Sequence, residues 1–236
     1  MRVVLFLSLF VLFLNCEDKQ SKKKSTLNTK DTTTVIKQIT AKKDTTGSAS
    51  PKFPVLDTKN AMEFFLVYEK ENPENTVRIS TDFGDIDILL FEETKFHRAN
   101  FIYLTKRKYY NGTQFYRVID NFIIQGGSGD DRKTGVKRKN IGRYLLPRDT
   151  NRGFKHDRGT ISMPSSDIEN PHKLASPYEF FIVQQQGGAH FLNGDYTVFG
   201  KVIKGMDVVD KIAAVKTDEA DWPLKNIYIR NVAILK

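Results

Sequence analysis

Cysteine is all but missing. Cys16 is the single one in 236 residues, so an intramolecular disulfide and a cysteine metal cluster are both excluded. Histidine is scarce too, and His97, His156, His172 and His190 fall at no spacing that suits a metal. Structural roles are expected of His97 and His156. No apolar run is long enough to cross a bilayer: Val3 to Leu14 falls short of the ~20 residues a spanning helix needs.

That short run has a pattern of its own. Arg2 precedes it, Asn15-Cys16 follows it, and Glu17-Asp18-Lys19-Gln20 is abruptly polar. A basic start and a brief apolar stretch fit a secretion signal over residues 1–15. A lone Cys directly after such a run resembles the lipobox of bacterial lipoproteins, in which the Cys carries the lipid. The resemblance implies acylation of Cys16 and anchoring on a membrane without a spanning segment, in the bacterial cell envelope, periplasmic or surface-facing.

The net charge of +9 invites a nucleic-acid function, and its distribution argues against one. Residues 17–59 hold ten lysines against five carboxylates, and residues 60–236 hold 26 basic side chains against 23 acidic ones. A nucleic-acid binder needs its excess on the folded body, whereas most of it here lies in the tail. Rich in Lys, Thr and Ser, with almost no aromatics before Phe53, that tail cannot bury enough apolar surface to order itself. Residues 16–59 are therefore expected to form a flexible tether. Within the body, residues 132–158 carry ten basic side chains against Asp149 and Asp157. A solvated loop is the expectation there, with a surface for acidic partners or anionic lipid head groups as the alternative.

The body, with most of the 17 Phe and 9 Tyr, has the material for a sizeable core. Asn60-Ala61-Met62-Glu63 reads as a capping box opening a helix. Phe64, Phe65, Val67 and Tyr68 continue it at helical spacing to about Lys70, and Asn72-Pro73 ends it. Val77 and Ile79, then Ile86, Ile88 and Leu90, alternate around Phe83-Gly84-Asp85 as a hairpin. Thr94 is placed to cap a second helix through Phe96, Ala99 and Tyr103. Short strands are predicted over 114–119, 122–125, 159–163, 179–184 and 196–203. A helix follows Gly205 through Val208, Val209, Ile212 and Ala213. Ile227, Ile229, Val232 and Ile234 form a last strand whose spacing breaks near Asn231. Many short strands with two interspersed helices suggest a closed β-barrel with helices over its ends.

Four ordered blocks carry a more specific signal. Phe115-Tyr116-Arg117-Val118-Ile119-Asp120-Asn121-Phe122-Ile123-Ile124-Gln125-Gly126-Gly127 resembles the F-H-R-V-I-x-x-F-x-x-Q-G-G signature of the cyclophilins. Gly159-Thr160-Ile161-Ser162-Met163 is similar to their G-x-L-S-M strand, and Phe180-Phe181-Ile182 to their Q-F-F-I strand. Phe191-Leu192-Asn193-Gly194-Asp195-Tyr196-Thr197-Val198-Phe199-Gly200-Lys201-Val202 resembles W-L-D-G-x-x-x-V-F-G-x-V. The resemblance implies a mainly β fold: a closed eight-stranded antiparallel barrel capped by two helices over residues 76–236. Residues 60–75 then form an extra N-terminal helix.

It also implies catalysis of X-Pro cis/trans isomerisation on proline-containing polypeptides, assisting the folding of exported proteins, with a monomer expected. Rotation about an amide faces about 18–20 kcal/mol. A cation bonded to the prolyl nitrogen stabilises the twisted state more than the planar one, so neither metal nor cofactor is needed. Arg117 matches the family's catalytic arginine. Phe122, Ile123, Phe181 and Leu192 match positions lining the proline slot, although each alone reads as ordinary core. Gln125 matches the glutamine that orients substrate and arginine, and Phe191 and Tyr196 match rim positions. Pro164 and Ser165 sit where the family offers backbone groups to the substrate strand.

Three positions depart from the pattern. Tyr116 replaces a His at a site more structural than chemical. Phe191 replaces the Trp of many members, which implies weaker cyclosporin binding. Glu179 stands where Gln is common, placed to pair with Arg117 and either orient or divert it. The competing reading is a slow or inactive cyclophilin domain that holds prolyl segments at the membrane.

Overall fold

The computed structural model describes residues 53–165 and 170–235. The expected secretion signal, the lipidated Cys16 and the tether up to residue 52 lie outside the described residues. In chain order the elements are β1 (Leu56–Asp57), α1 (Ala61–Glu71), β2 (Thr76–Thr81), β3 (Gly84–Leu90) and α2 (Lys95–Lys106). They continue with β4 (Gln114–Ile119), β5 (Ile123–Ser128), α3 (Arg132–Ile141), β6 (Gly142–Arg143), β7 (Thr160–Met163) and β8 (Phe180–Val183). β9 (Thr197–Lys204), α4 (Met206–Ala213) and β10 (Ile227–Ile234) complete the body.

Alternation decides the barrel. Val77 and Ile79 on β2, Ile86 and Ile88 on β3 and Ile229 and Val232 on β10 are fully buried, each strand turning one face inward. Eight strands close in the order β10-β2-β3-β9-β7-β8-β5-β4, with β4 returning to β10, and every pair in the ring is antiparallel. Closure removes the free edges that an open sheet would leave for another chain. The spacing break near Asn231 is a register shift between Ile229 and Asn231.

α2 packs against β9 and β10, and α4 against β3, β4 and β5. α2 is buried from His97 to Thr105 because α1 covers its outer side. Phe53, Phe64, Phe65 and Tyr68 ring Tyr103 with centroids 5.1–5.8 Å away. Arg98 on α2 donates to the Asn72 (2.9 Å) and Glu74 (3.2 Å) carbonyls and to the Glu69 carboxylate (3.2 Å). A cation at the end of α1 meets the carbonyls that a helix leaves unpaired.

Several expectations are corrected. The capping box is absent: Asn60 is the N-cap residue but makes no cap bond, because its Oδ1 accepts from Asp57 N (2.8 Å). Thr94 likewise sits at the start of α2, yet its hydroxyl donates back to the Phe91 carbonyl (3.3 Å). Residues 53–59, assigned to the tether from composition, belong to the folded body: Leu56 is fully buried and β1 pairs in parallel with β6. The loop expected over 132–158 opens with a helix, α3. Its Asp131 cap accepts from Thr134 N (3.0 Å) and Thr134 Oγ1 (2.8 Å), and Gly142 ends it. The barrel therefore carries α3 besides the two helices expected over it.

Candidate active site

A row of residues crosses four neighbouring strands. Arg117 on β4 lies opposite Gln125 on β5, Gln125 opposite Phe181 on β8, and Phe181 opposite Ser162 on β7. β4 shifts register between Phe115 and Arg117. An extra residue in one strand breaks the in–out alternation and re-aims side chains. Phe115 and Val118 can thus both be buried, while the consecutive Tyr116 and Arg117 both face one cavity.

That cavity holds about 380 Å³ and is lined by Tyr116, Arg117, Phe122, Ile123, Gln125, Pro164, Ser165, Glu179, Phe181, Leu192 and Tyr196. Every residue expected at the catalytic and substrate-binding site therefore lines it except Phe191, which is 68% exposed and stacks on Phe122 at the mouth, centroids 5.5 Å apart. Ile123, Phe181, Val183 and Ala189 form a small buried cluster of their own, with Phe122, Leu192 and Tyr196 packed against it. This apolar slot is separate from the barrel core. The Pro164 carbonyl already accepts from Ser176 N (2.8 Å), leaving it one lone pair.

Behind the slot, His156 stacks on Phe181 at 5.9 Å. Its Nδ1 lies 2.8 Å from Asn193 Oδ1, its Nε2 lies 3.1 Å from Ser162 Oγ, and its backbone N–H also bonds Asn193 Oδ1 (2.9 Å). Burial pushes the imidazole pKa down, against the Asn193 bond that raises it. The ring holds the turn that carries Phe191 and Leu192, the structural role expected of it.

The polar side of the cavity corrects one expectation outright. Glu179 does not pair with Arg117. Its Oε1 accepts from Arg138 Nη2 (2.9 Å) and its Oε2 from Tyr116 OH (3.1 Å). Tyr116 OH also bonds Gln125 Nε2. Burial, then the Glu179 charge, pushes the Tyr116 phenol well above its ordinary range, so it stays protonated. Arg117 is instead bound through Nε to Asp221 Oδ2 (3.2 Å). Asp221 adopts φ +63°, and its carbonyl accepts from Val118 N (2.9 Å). Two unpaired carboxylates near one guanidinium would compete for it; each has its own cation here.

Sequence reasoning missed Asp221, Arg138 and the lining role of Tyr116. Asp221 lies in a polar turn with no apolar rhythm, flagged only by the Pro two residues on. Arg138 sits in a helix whose single strong signals were its caps, Asp131 and Gly142.

Comparisons agree with this geometry. The family model described as cyclophilin type peptidyl-prolyl cis-trans isomerase/CLD matches residues 76–234. Peptidyl-prolyl cis-trans isomerase B of Escherichia coli is 32% identical over 167 residues, covering 67% of this chain and 98% of its own. A peptidyl-prolyl cis-trans isomerase of Acinetobacter baylyi is 41% identical over 147 residues, covering 60% and 73%. Other relatives are longer, and the chain spans only 36% of the isomerase-like 2 protein of Rhizopus delemar, at 35% identity and with 80% of this chain covered. A crystal structure of a Cryptosporidium parvum cyclophilin type isomerase superposes with a TM-score of 0.57 at 30% identity, covering 69% of this chain and 98% of that one. It has also been solved in the presence of the dipeptide Ala-Pro. With the barrel, the four sequence blocks and the cavity in agreement, the chain belongs to the cyclophilin-type peptidyl-prolyl cis-trans isomerases.

Proposed function

We propose that this chain accelerates X-Pro isomerisation in exported polypeptides while held at a membrane by lipid on Cys16. The observation that carries the catalytic part is a cation beside an apolar slot. Arg117 shares one cavity with Phe122, Ile123, Phe181 and Leu192, so a proline ring in the slot brings its amide to the guanidinium. Uncatalysed exchange takes tens to hundreds of seconds because the planar amide is held by resonance. As the bond twists, the prolyl nitrogen regains a lone pair and becomes a hydrogen-bond acceptor. A fixed, permanently charged guanidinium bonds that nitrogen more strongly than the planar one, and this difference lowers the barrier.

The pairing of Glu179 with Arg138 supports the enzyme over the binding module, because the carboxylate placed by the sequence to orient or divert Arg117 is held by another cation. The test is a protease-coupled or exchange assay on a short Ala-Pro peptide, comparing the native chain with Arg117→Ala. Turnover that survives the substitution with an unchanged melting temperature sinks the arginine mechanism. Anchoring is tested separately: Cys16→Ser is expected to release the protein from the membrane fraction. Continued fractionation with membranes rules out the lipid on Cys16.

A further inference from the structure

We propose that Arg138 and Glu179 set the direction of a hydrogen-bond chain that turns the carbonyl oxygen of Gln125, rather than its amide nitrogen, toward the prolyl groove. This rests on the isomerase reading and adds a positioning pair, one member of which lies on α3, outside every sequence block that signals the family.

The direction follows from counting protons. An ionised carboxylate only accepts, and a phenol has one proton to give. With Glu179 Oε2 3.1 Å from Tyr116 OH, that proton goes to Glu179. The Tyr116 oxygen must then accept from its other neighbour, so Gln125 presents its NH2 and its Oε1 faces the other way. Gln125 lies opposite Arg117 in the ladder, and guanidinium groups only donate. An amide turned the other way would set donor against donor. Turned this way, Oε1 is free to accept from Arg117 or from a peptide N–H of the bound chain. A glutamine at 179 would lose this control, since its amide can give or take a proton and the chain can run in either sense.

Arg138 holds the carboxylate in place and aims it. Its Nη2 bonds Glu179 Oε1 (2.9 Å) and Ser128 Oγ (3.0 Å), and its Nε bonds Tyr109 OH (2.9 Å). Its guanidinium also lies 5.2 Å from the Tyr178 ring centroid. Tyr109 OH in turn donates to the Gly127 carbonyl (2.7 Å). A cation fixed on four sides holds Glu179 on the α3 side of the cavity and leaves Arg117 to Asp221. Neither a lysine's single point charge nor a neutral side chain reproduces this fork.

The test takes Glu179→Gln, Tyr116→Phe and Arg138→Met beside the native chain. It measures kcat and KM on an Ala-Pro peptide and the side-chain NH2 resonances of Gln125 by NMR. Each substitution is expected to lower kcat about three- to tenfold with KM within about twofold, as for loss of an orienting contact. The Gln125 NH2 signals should move in all three, and Glu179→Gln with Tyr116→Phe together should cost no more than either alone, since both cut one chain. Arg138→Lys is expected to recover part of the loss. Glu179→Gln is nearly isosteric, so it remains decisive if Arg138→Met fails to fold. An active native chain with unchanged kcat in Glu179→Gln overturns the proposal, as do Gln125 signals that stay in place. An inactive native chain defeats the isomerase reading instead, and the NMR signals then decide the chain's direction by themselves.

Discussion

Asp221 Oδ2 accepts from Arg117 Nε at 3.2 Å, and this leaves both Nη groups, with four of the five N–H donors, for a substrate. The carboxylate comes from the loop before β10, in a left-handed conformation at φ +63°, and its own carbonyl is tied to Val118 N. The partner that aims the cation is thus bonded to the same strand as the cation. Both side chains are about 40% exposed, at 43% and 37%, so the pair adds roughly 0–1 kcal/mol to stability at most. Its effect should be on orientation.

Asp221→Ala is therefore expected to lower kcat by about tenfold, leave KM nearly unchanged and shift unfolding free energy by less than about 1 kcal/mol. Steady-state rates with a denaturant titration check this. Unchanged kcat would mean that Arg117 needs no aid from Asp221.

Phe191 and Phe122 stack at 25° with centroids 5.5 Å apart, although Phe191 is 68% exposed. A ring held at a cavity mouth adds contact to a bound chain without supporting the core. Phe191→Ala should raise KM about two- to tenfold, from the 0.5–1.5 kcal/mol that aromatic pairs contribute. Melting temperature and kcat should stay put. A fall in kcat at constant KM would remove Phe191 from the rim.

The barrel was legible because alternation and burial follow the same rule: Ile86, Ile88 and Leu90 could be assigned to one face before any coordinate. The lining of the slot was legible only through resemblance, since Phe122 and Phe181 look like any core residue in isolation. α3 was not legible from apolar rhythm. Its interior holds one exposed Val (Val136) and a Gly (Gly135), and it is anchored by polar contacts from Lys137 and Arg138. The pairing of Glu179 was misjudged for the same reason. Which cation meets a carboxylate depends on an element that pattern reading took for a loop.

Gly142 joins α3 to β6 at φ +135°, and a Cβ there would lie 1.8 Å from the Leu56 carbonyl oxygen. Gly142→Ala should therefore push β1 off β6 and cost about 1–3 kcal/mol in strain, seen as a melting temperature lower by about 2–4 °C per kcal/mol. Amide exchange at Leu56 and Asp57 should quicken more than in the barrel strands. Equal protection in both forms would show that β1 holds without this close approach.

His97 is expected to govern the acid limb of stability. It is wholly buried on α2 against Phe199, and neither ring nitrogen has a hydrogen-bond partner among the described residues. Burial pushes its pKa from 6.5 down to about 4, so the folded chain keeps the ring neutral where the unfolded chain takes up a proton. A folded pKa below the unfolded one gives stability that is present above pH 6.5 and lost as pH falls toward 4. The loss over that window is about 2–3 kcal/mol on the linkage relation. His156, also lowered by burial, adds to the same slope. Asp87, lowered by its bond to Arg78, acts only at lower pH, where its carboxyl begins to protonate. His97→Leu removes the titration and two unpaired buried nitrogens together. It should unfold at equal or higher denaturant than the native chain at about pH 7, and its midpoint should fall less between about pH 6.5 and 4. Denaturant midpoints for both forms across that range decide the matter. Parallel curves would assign the acid limb to His156 and the carboxylates rather than to His97.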